Sequence, residues 1–224
     1  MEILKKIEAV IFDMDGLIFD TETLYYRANQ EISDEIGLDF TYDYYLKYVG
    51  TSDEELHENL YRDFKDEEKV AHLIQEGRKR VEEIVRRDGL IIKEGFMELL
   101  NYLEEKNIKK VVASSNLKEM IHLFIEREAL TGRFDYIVSG DEVKRAKPDP
   151  EIFEKAWSGL GVAKENTLIL EDSINGIRAA FDAGIDVIMV PDLIPPGEEA
   201  VEKTLEIYEN LTIVKAYIDQ QNKR

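Results

Sequence analysis

The chain has 224 residues, of which 44% are hydrophobic and 34% are charged, and its formal net charge at pH 7 is −19. This apolar fraction is enough for a hydrophobic core in one or two domains, which argues against a wholly disordered chain. The acidity argues against nucleic acid or an anionic membrane surface as the main partner, because both bind through basic patches. With no cysteine, disulfides, thiolate catalysis and cysteine-based zinc sites are excluded.

The N-terminal residues bear on where the protein is found. Residues 1–16 contain no long apolar stretch of the kind that marks a signal peptide, because the apolar residues after Lys6 run directly into Asp13. No uncharged apolar run is long enough to span a bilayer. We therefore expect a soluble cytoplasmic protein without a membrane partner, and a monomer is the default expectation for its assembly.

Five short runs rich in β-branched residues predict buried strands: residues 7–12, 110–114, 136–138, 167–171 and 186–190. Apolar residues at helical spacing lie between them and predict four helices: residues 96–106, 117–127, 151–160 and 174–183. Near the C-terminus, the pattern predicts a short edge strand and then a helix: residues 205–208, and residues from Leu211 onward. Strands that alternate with helices predict βαβ units, and therefore an α/β fold with a doubly wound, Rossmann-like parallel sheet.

One long segment breaks this alternation, because residues 21–88 contain no convincing strand pattern. We interpret it as an inserted all-helical domain, which leaves residues 1–20 and 89–224 as the core domain. Ser52 and Glu55 have the spacing of a capping box. Helical spacing predicts four helices in the insertion: residues 22–36, 42–48, 53–64 and 66–87.

Tyrosine is frequent in the inserted segment, and two explanations fit. Side chains such as Tyr44 and Tyr45 could pack within the helical domain, or they could form a shelf for a substrate ring. The hinges of the insertion are expected near residues 19–22 and 88–94.

Polar side chains follow the predicted strands near the points where four of the strands end. They are Asp13, Asp15, Ser114, Ser115, Asn116, Lys147, Glu171 and Asp172. Ligands of open parallel sheets bind at the carboxyl ends of the strands, so we expect these side chains to meet at one edge. Clustered carboxylates repel each other unless a cation neutralises them, and oxygen ligands without histidine or cysteine favour Mg²⁺. Lys147 and the Ser114 hydroxyl would then bind phosphate oxygens and supply local positive charge for an anionic substrate.

Asp13 and Asp15 are the candidate catalytic pair. Gly16 permits a turn that can direct the two carboxylates differently. One carboxylate can then attack phosphorus, while the other protonates the leaving oxygen and later activates water. Two simpler explanations remain open at this point: Asp-Gly is also common in ordinary turns, and Lys147 could be a solvated loop lysine.

Four motifs occur in order along the chain: DMDGLIFD from Asp13 to Asp20, Ser114 within VVASSN, KPDP from Lys147, and EDSINGIRAAFDAG from Glu171. Each alone is weakly specific, but together they span nearly the whole chain and are very specific. They resemble the motifs of the haloacid dehalogenase-like superfamily, in the branch of β-phosphoglucomutase-like phosphatases with a small helical, C1-type cap. The resemblance implies that the inserted domain is a cap that closes over the site and selects the substrate.

The resemblance also implies a role for each matching residue. Asp13 would be the nucleophile that forms an aspartyl-phosphate, and Asp15 would be the general acid/base. Mg²⁺ would be held by Asp13, the backbone carbonyl of Asp15 and Asp172, with Glu171 in support. The expected activity is the Mg²⁺-dependent hydrolysis of a small phosphorylated metabolite. The remaining site residues would contact the substrate: Ser114, Ser115, Asn116 and Lys147 around the phosphoryl group, and Gly50 and Thr51 from the cap.

Two other functions remain open. A sugar phosphomutase of the β-phosphoglucomutase type would use the same aspartyl-phosphate, but such mutases carry a histidine near the cap entrance and cations around the cap's glycine loop. Tyr25, Val49 and Asp53 stand at those places here, which favours the phosphatase. A non-catalytic phospho-acceptor, similar to receiver domains, also combines Asp, a hydroxyl and Lys on a parallel sheet. The second aspartate and the inserted domain argue against that reading of the site.

Overall fold

The computed structural model describes residues 6–49 and 53–223 of the chain. These residues form two compact units: a core unit, with the described residues up to Asp20 and from Ile91 onward, and an insert unit, Thr21–Leu90. The two points where the chain leaves and re-enters the core unit are neighbours, since the Asp20 N–H donates to the Ile91 carbonyl at 2.9 Å.

A six-stranded parallel sheet forms the centre of the core unit within the described residues. Its strands in chain order are β1 (Ala9–Phe12), β2 (Lys109–Ala113), β3 (Tyr136–Val138), β4 (Thr167–Glu171), β5 (Asp186–Met189) and β6 (Glu206–Ile207). The spatial order is β3-β2-β1-β4-β5-β6, and every neighbouring pair is parallel. Because β1 lies in the middle of the sheet and the later strands extend to both sides of it, the sheet is doubly wound, and the predicted Rossmann-like α/β fold is confirmed.

The helices of the described residues lie close to their predicted positions, with ends within two residues of the prediction wherever a helix was predicted. In chain order they are α1 (Thr21–Ile36), α2 (Tyr42–Leu46), α3 (Asp53–Asp63), α4 (Glu67–Asp88), α5 (Phe96–Glu105), α6 (Lys118–Arg127), α7 (Glu151–Ser158), α8 (Ile174–Asp182), α9 (Glu198–Lys203) and α10 (Leu211–Lys223). The first four belong to the insert unit and the others to the core unit. Across the part of the chain that the structure describes, no helix combines the length and hydropathy needed to cross a membrane.

Both faces of the sheet are buried, which explains why its strands lack polar alternation. On one face, Ile11 of β1 packs in a core cluster with Phe153 of α7 and Ala180 of α8. On the other face, the ring of Phe12 meets the Phe96 ring of α5 edge-on, with 5.8 Å between the ring centroids. A one-residue slip of a strand would exchange the two faces, so this double cover fixes the register that aligns the strand ends.

The insert unit has a hydrophobic core of its own, with α1 packed against α4. Ile32 of α1 and Leu73 of α4 lie in its central cluster, together with Tyr45, which is buried. Tyr44 packs against the same cluster, so these tyrosines contribute to packing. Ser52, the first residue of the predicted capping box, lies outside the described residues.

Candidate active site

The turn after β1 carries the two predicted catalytic aspartates. The Asp13 N–H donates to the Leu170 carbonyl of β4 at 3.0 Å, so Asp13 stands at the carboxyl edge of the sheet. Gly16 has a φ of +75°, and its N–H donates to the Phe19 carbonyl at 2.9 Å. A Cβ atom on residue 16 would stand inside the contact distance of Asp172 Oδ2. Glycine is therefore required here both by the left-handed backbone and by the close approach of Asp172.

A buried lysine joins two carboxylates at this edge. Lys147 Nζ lies 2.5 Å from Asp13 Oδ1 and 2.6 Å from Glu171 Oε1. The exposed fraction of the side chain is 7% for Lys147, 8% for Asp13 and 1% for Glu171. The alternative of a solvated loop lysine is therefore wrong, because Lys147 is enclosed between carboxylates that follow β1 and end β4.

Glu171 is held on both of its oxygens. Oε1 accepts from Lys147, and Oε2 accepts from the N–H and the hydroxyl of Ser173 at 2.8 and 3.0 Å. Ser173 is also the N-cap of α8, where its Oγ accepts from the Gly176 N–H at 3.1 Å. A Cβ atom on Gly176 would overlap the Glu171 carboxyl group. The start of α8 is thus shaped around Glu171, which orients Lys147.

Burial controls the protonation of this cluster. It raises the pKa of Asp13 to about 8; Lys147 opposes this rise, and Glu171 and Asp15 add to it. Burial also raises the pKa of Asp172 well above its ordinary value, with Glu171 and Asp13 adding to the rise. For Lys147, burial lowers the pKa, but its two carboxylate partners outweigh burial and its pKa ends above the ordinary value. Lys147 therefore stays charged at neutral pH, and it cannot neutralise all of the carboxylates around it.

The carboxylates of Asp13, Glu171 and Asp172 can hold a metal ion. Each offers one oxygen, and these oxygens lie within 4.8 Å of one another. A hard divalent cation such as Mg²⁺ takes oxygen ligands and neutralises excess negative charge, so both the donor set and its charge fit the predicted ion. The predicted contribution of Asp15 to the ion is its backbone carbonyl, and its carboxylate has other partners.

A second group of polar residues surrounds the Asp15 carboxylate. Ser114 Oγ donates to Asp15 Oδ2 at 3.0 Å and accepts from the Asn116 N–H at 3.0 Å. Asn116 Nδ2 donates to Asp15 Oδ1 at 3.4 Å. Ser115, between these two residues, is exposed. The structure thus gathers Ser114 and Asn116 around Asp15, and the phosphate-binding roles predicted for all three of the residues after β2 stay predictions.

Apart from the exposed Ser115, the predicted site residues that the structure describes therefore fall into two groups, the carboxylate cluster with its lysine and the group around Asp15. The two groups interact electrostatically, because the charge of Asp15 raises the pKa of Asp13. Gly50 and Thr51, which were predicted to contact the substrate from the cap, lie outside the described residues.

The sequence prediction missed two charged residues beside the carboxylate cluster. Asp192 lies in the loop after β5, and its Oδ1 contacts Nζ of Lys93, which precedes α5. The charge of Asp192 contributes to the raised pKa of Asp172, so the two carboxylates are close. Because ligands bind at the carboxyl ends of parallel strands, the residues that follow β5 were also candidates, and this rule could have found Asp192.

Comparison with known proteins assigns the chain to a family. The family model for haloacid dehalogenase-like hydrolases matches residues 10–190, which is more than half of the chain. The chain belongs to the haloacid dehalogenase-like hydrolase family. It is 36% identical over 187 residues to the phosphorylated carbohydrates phosphatase of Thermotoga maritima, with 81% of this chain and 83% of that protein covered.

Solved structures of other proteins share the fold. A provisionally assigned β-phosphoglucomutase from Thermotoga maritima matches with a TM-score of 0.80 at 31% identity, covering 96% of this chain and 99% of that chain. CbbY from Rhodobacter sphaeroides in complex with xylulose-(1,5)bisphosphate matches with a TM-score of 0.77 at 26% identity, covering 92% and 95% of the two chains. The predicted superfamily and the predicted enzyme class, a haloacid dehalogenase-like phosphatase, are confirmed.

Proposed function

We propose that this haloacid dehalogenase-like enzyme is a Mg²⁺-dependent phosphatase that hydrolyses a small phosphorylated metabolite through an aspartyl-phosphate on Asp13. The observation that carries the proposal is the buried contact of Lys147 with Asp13, at 2.5 Å, beside the carboxylate of Asp172. In this arrangement, Asp13 has Lys147 as a fixed cationic neighbour, and Asp13 and Asp172 together leave a place for a divalent cation. Phosphorylated carbohydrates are the substrate class to test first, because the relative from Thermotoga maritima is named for them.

Asp13 is the proposed nucleophile. One of its carboxylate oxygens forms a bond to the substrate phosphorus while the bond from phosphorus to the ester oxygen breaks. Asp15 gives a proton to the departing oxygen, so the products of this step are a free alcohol and an aspartyl-phosphate. Lys147, which stays protonated, offsets the negative charge of the phosphoryl group.

Asp15 is the proposed general base of the second step. It takes a proton from a water molecule, whose oxygen attacks the phosphorus of the aspartyl-phosphate. The bond from phosphorus to Asp13 breaks, which releases inorganic phosphate and restores the Asp13 carboxylate. The hydrogen bonds from Ser114 and Asn116 support this role, because they hold both oxygens of the Asp15 carboxylate.

Mg²⁺ is the proposed cofactor. Asp13 and Asp172 would hold it, with the backbone carbonyl of Asp15 and with Glu171 in support. When bound, the ion would supply positive charge that favours the ionised form of Asp13 and attracts the phosphate. The raised pKa of Asp13, about 8, supports this assignment, because without such an ion the nucleophile is largely protonated at neutral pH.

We assign catalysis to a domain of residues 1–20 and 89–224, and substrate selection to a cap of residues 21–88. The division of the chain into two compact units, with the insert unit spanning Thr21–Leu90, supports these boundaries.

Phosphate release by the purified 224-residue protein tests the proposal. We expect release from p-nitrophenyl phosphate and from a panel of sugar phosphates with Mg²⁺, and none with EDTA. Activity that survives complete chelation would remove the Mg²⁺ dependence. The absence of release from every phosphate ester tested would remove the phosphatase in favour of a non-catalytic phospho-acceptor.

A phosphomutase is the second candidate, and the structural match to a provisionally assigned β-phosphoglucomutase favours it. Tyr25 and Val49 stand where cationic or histidine side chains of such mutases are expected, which supports the phosphatase instead. Incubation with β-glucose 1-phosphate and a bisphosphate primer separates the two. Free phosphate as the main product is expected, and glucose 6-phosphate as the main product would establish the mutase.

A further inference from the structure

Asp192 is a buried carboxylate with one oxygen that lacks a hydrogen-bond partner. Its side chain is 8% exposed, and its Oδ1 contacts Lys93 Nζ. In the part of the chain that the structure describes, no donor reaches the buried Oδ2 atom. Such an oxygen is costly, because it has lost its hydration without gaining a hydrogen bond. Asp192 Oδ2 is therefore placed to accept a hydrogen bond from a donor that is not a protein side chain.

The unpartnered oxygen lies next to the carboxylate cluster. The point where a Cβ atom of residue 16 would stand is 3.3 Å from Asp192 Oδ2 and closer still to Asp172 Oδ2. The charge of Asp192 also contributes to the raised pKa of Asp172. The two carboxylates thus lie side by side at the turn after β1.

Lys93 holds Asp192 at this place. The Lys93 N–H donates to the Ile18 carbonyl at 2.9 Å, and its carbonyl accepts from the Phe96 N–H at 3.2 Å. Because both backbone groups are fixed, the contact of the Lys93 side chain with Asp192 joins the loop after β5 to the turn after β1. The position of Asp192 is therefore set by the same turn that carries the nucleophile.

We propose that Asp192 is a positioning residue for the divalent cation, and that its Oδ2 accepts a hydrogen bond from a water molecule bound to the ion. This inference rests on the proposed function, because it requires the ion that Asp13 and Asp172 would hold. Asp192 is not part of the group of carboxylates whose oxygens lie within 4.8 Å of one another, which favours a contact through water over direct ligation. Mg²⁺ keeps several of its waters in proteins, and carboxylates that hold such waters strengthen binding.

A purely structural role is the competing explanation, in which Asp192 only neutralises Lys93 and joins two loops. The double variant Lys93→Met/Asp192→Leu separates the explanations. It removes one positive and one negative charge, so the net charge near the site is unchanged, and neither charge is left buried without its partner. Lys93→Met/Asp192→Asn breaks the same link between the loops at the same net charge but keeps an acceptor oxygen at position 192. Mg²⁺ binding that is weaker in the Leu variant than in this Asn variant therefore reports the loss of the Asp192 oxygen.

Isothermal titration of Mg²⁺ into the metal-free 224-residue protein gives the measurement. We expect the dissociation constant of Lys93→Met/Asp192→Leu to be about tenfold higher than that of the wild type, with circular dichroism used to verify that both are folded. The matched control is Glu104→Leu/Arg133→Met, which removes a different ion pair of the core unit, at 2.6 Å, and should bind Mg²⁺ like the wild type. Equal dissociation constants for the wild type and Lys93→Met/Asp192→Leu would overturn the role of Asp192.

Asp172→Asn separates this inference from the proposed function. If the wild type binds Mg²⁺ and Asp172→Asn does not, the ion site stands and the double variant tests Asp192 alone. If the wild type does not bind Mg²⁺, the proposed cofactor and this inference both fall. Should the double variant not fold, Asp192→Asn, which preserves shape, provides the test: weaker Mg²⁺ binding is expected, and unchanged binding overturns the inference.

Discussion

Two cations of this protein each contact several carboxylates, but in different surroundings. In the core unit, Lys147 is buried with its partner Asp13 at the edge of the sheet. In the insert unit, Arg80 contacts Glu35 at 2.9 Å and Glu83 at 3.3 Å, and these glutamates are 59% and 53% exposed. The same pairing of charges thus occurs once with both partners buried and once with the named carboxylates open to water.

The pKa values of the partner carboxylates move in opposite directions. The hydrogen bond from Arg80 lowers the pKa of Glu35, whereas burial raises the pKa of Asp13 to about 8 despite its contact with Lys147. In the surface cluster, attraction dominates because water still solvates the exposed glutamate, and in the buried cluster the loss of hydration dominates. The buried cluster is therefore left with negative charge that a divalent cation can neutralise, while the surface cluster only links helices.

Asp13→Asn is the most severe way to disturb the buried cluster. The amide cannot attack phosphorus, so kcat for phosphate release should fall by roughly 10⁴-fold or more. Asp34→Asn, which changes an exposed aspartate of α1, is the matched control and should keep the wild-type kcat. Phosphate release by Asp13→Asn at a rate near that of the wild type would remove Asp13 as the nucleophile.

Asp15→Asn should separate the two chemical steps. The leaving group of p-nitrophenyl phosphate needs little help from an acid, so the aspartyl-phosphate should still form, while its hydrolysis slows by about 10²- to 10⁴-fold. Rapid mixing should then show a stoichiometric burst of nitrophenol, and the intact mass of the protein should increase by one phosphoryl group. A normal steady-state rate in this variant would contradict the acid/base role of Asp15.

Lys147→Met and Arg80→Met compare the two cation sites directly. Removal of Lys147 leaves buried carboxylates without their partner and should cost about 3–5 kcal/mol of unfolding free energy in the metal-free protein. Removal of Arg80 should cost at most ~1 kcal/mol, because water replaces it around exposed glutamates. Urea unfolding measures both, and addition of Mg²⁺ should recover part of the Lys147→Met loss. Equal losses from the two variants would mean that burial is not what distinguishes the sites.

The strands and helices could be predicted from the sequence wherever their own residues determine them. Every strand and helix that the β-branched runs and the helical spacing predict is present in the structure, and β4 matches its prediction residue for residue. β1, however, begins at Ala9 and not at residue 7. The Ile7 N–H instead donates to Asn222 Oδ1 in α10 at 2.8 Å, and the Ile7 carbonyl accepts from Asn222 Nδ2 at 2.9 Å. Nothing near residue 7 indicates a contact with a residue 215 positions away.

The residues that lie at the site were easier to predict than the hydrogen bonds and ion pairs between them. A parallel sheet brings the carboxyl ends of its strands to one edge, so the residue types that follow the strands indicate which side chains meet. They do not indicate which side chains pair. The Ser114 hydroxyl is predicted to bind a phosphate oxygen, and in this structure it donates a hydrogen bond to the Asp15 carboxylate. Asp192 was missed because it belongs to no motif of the resemblance and is held by Lys93, 99 positions away.

The pH dependence of stability is the mildest effect expected, and it tests the buried cluster without substituting a residue. Because the pKa of Asp13 is raised to about 8, the metal-free folded protein keeps a proton that the unfolded chain releases at about pH 4. This proton stabilises the fold at acidic pH, and its contribution is lost as the pH rises through about 8. Mg²⁺ requires the ionised carboxylate. The stabilisation that it provides should therefore grow over the same interval, by up to ~1.4 kcal/mol per pH unit for one displaced proton.

Thermal unfolding with Mg²⁺ and with EDTA, at pH values from about 6 to 8, measures this growth. The difference between the two unfolding midpoints should widen with pH in the wild type and less in Asp13→Asn, which lacks one of the two carboxylates whose pKa values are raised. Arg80→Met should behave like the wild type, because the pKa of Glu35 is lowered and lies far below this interval. A difference that stays constant with pH in the wild type would show that Asp13 is already ionised, and that Lys147 outweighs burial here as Arg80 does at the surface.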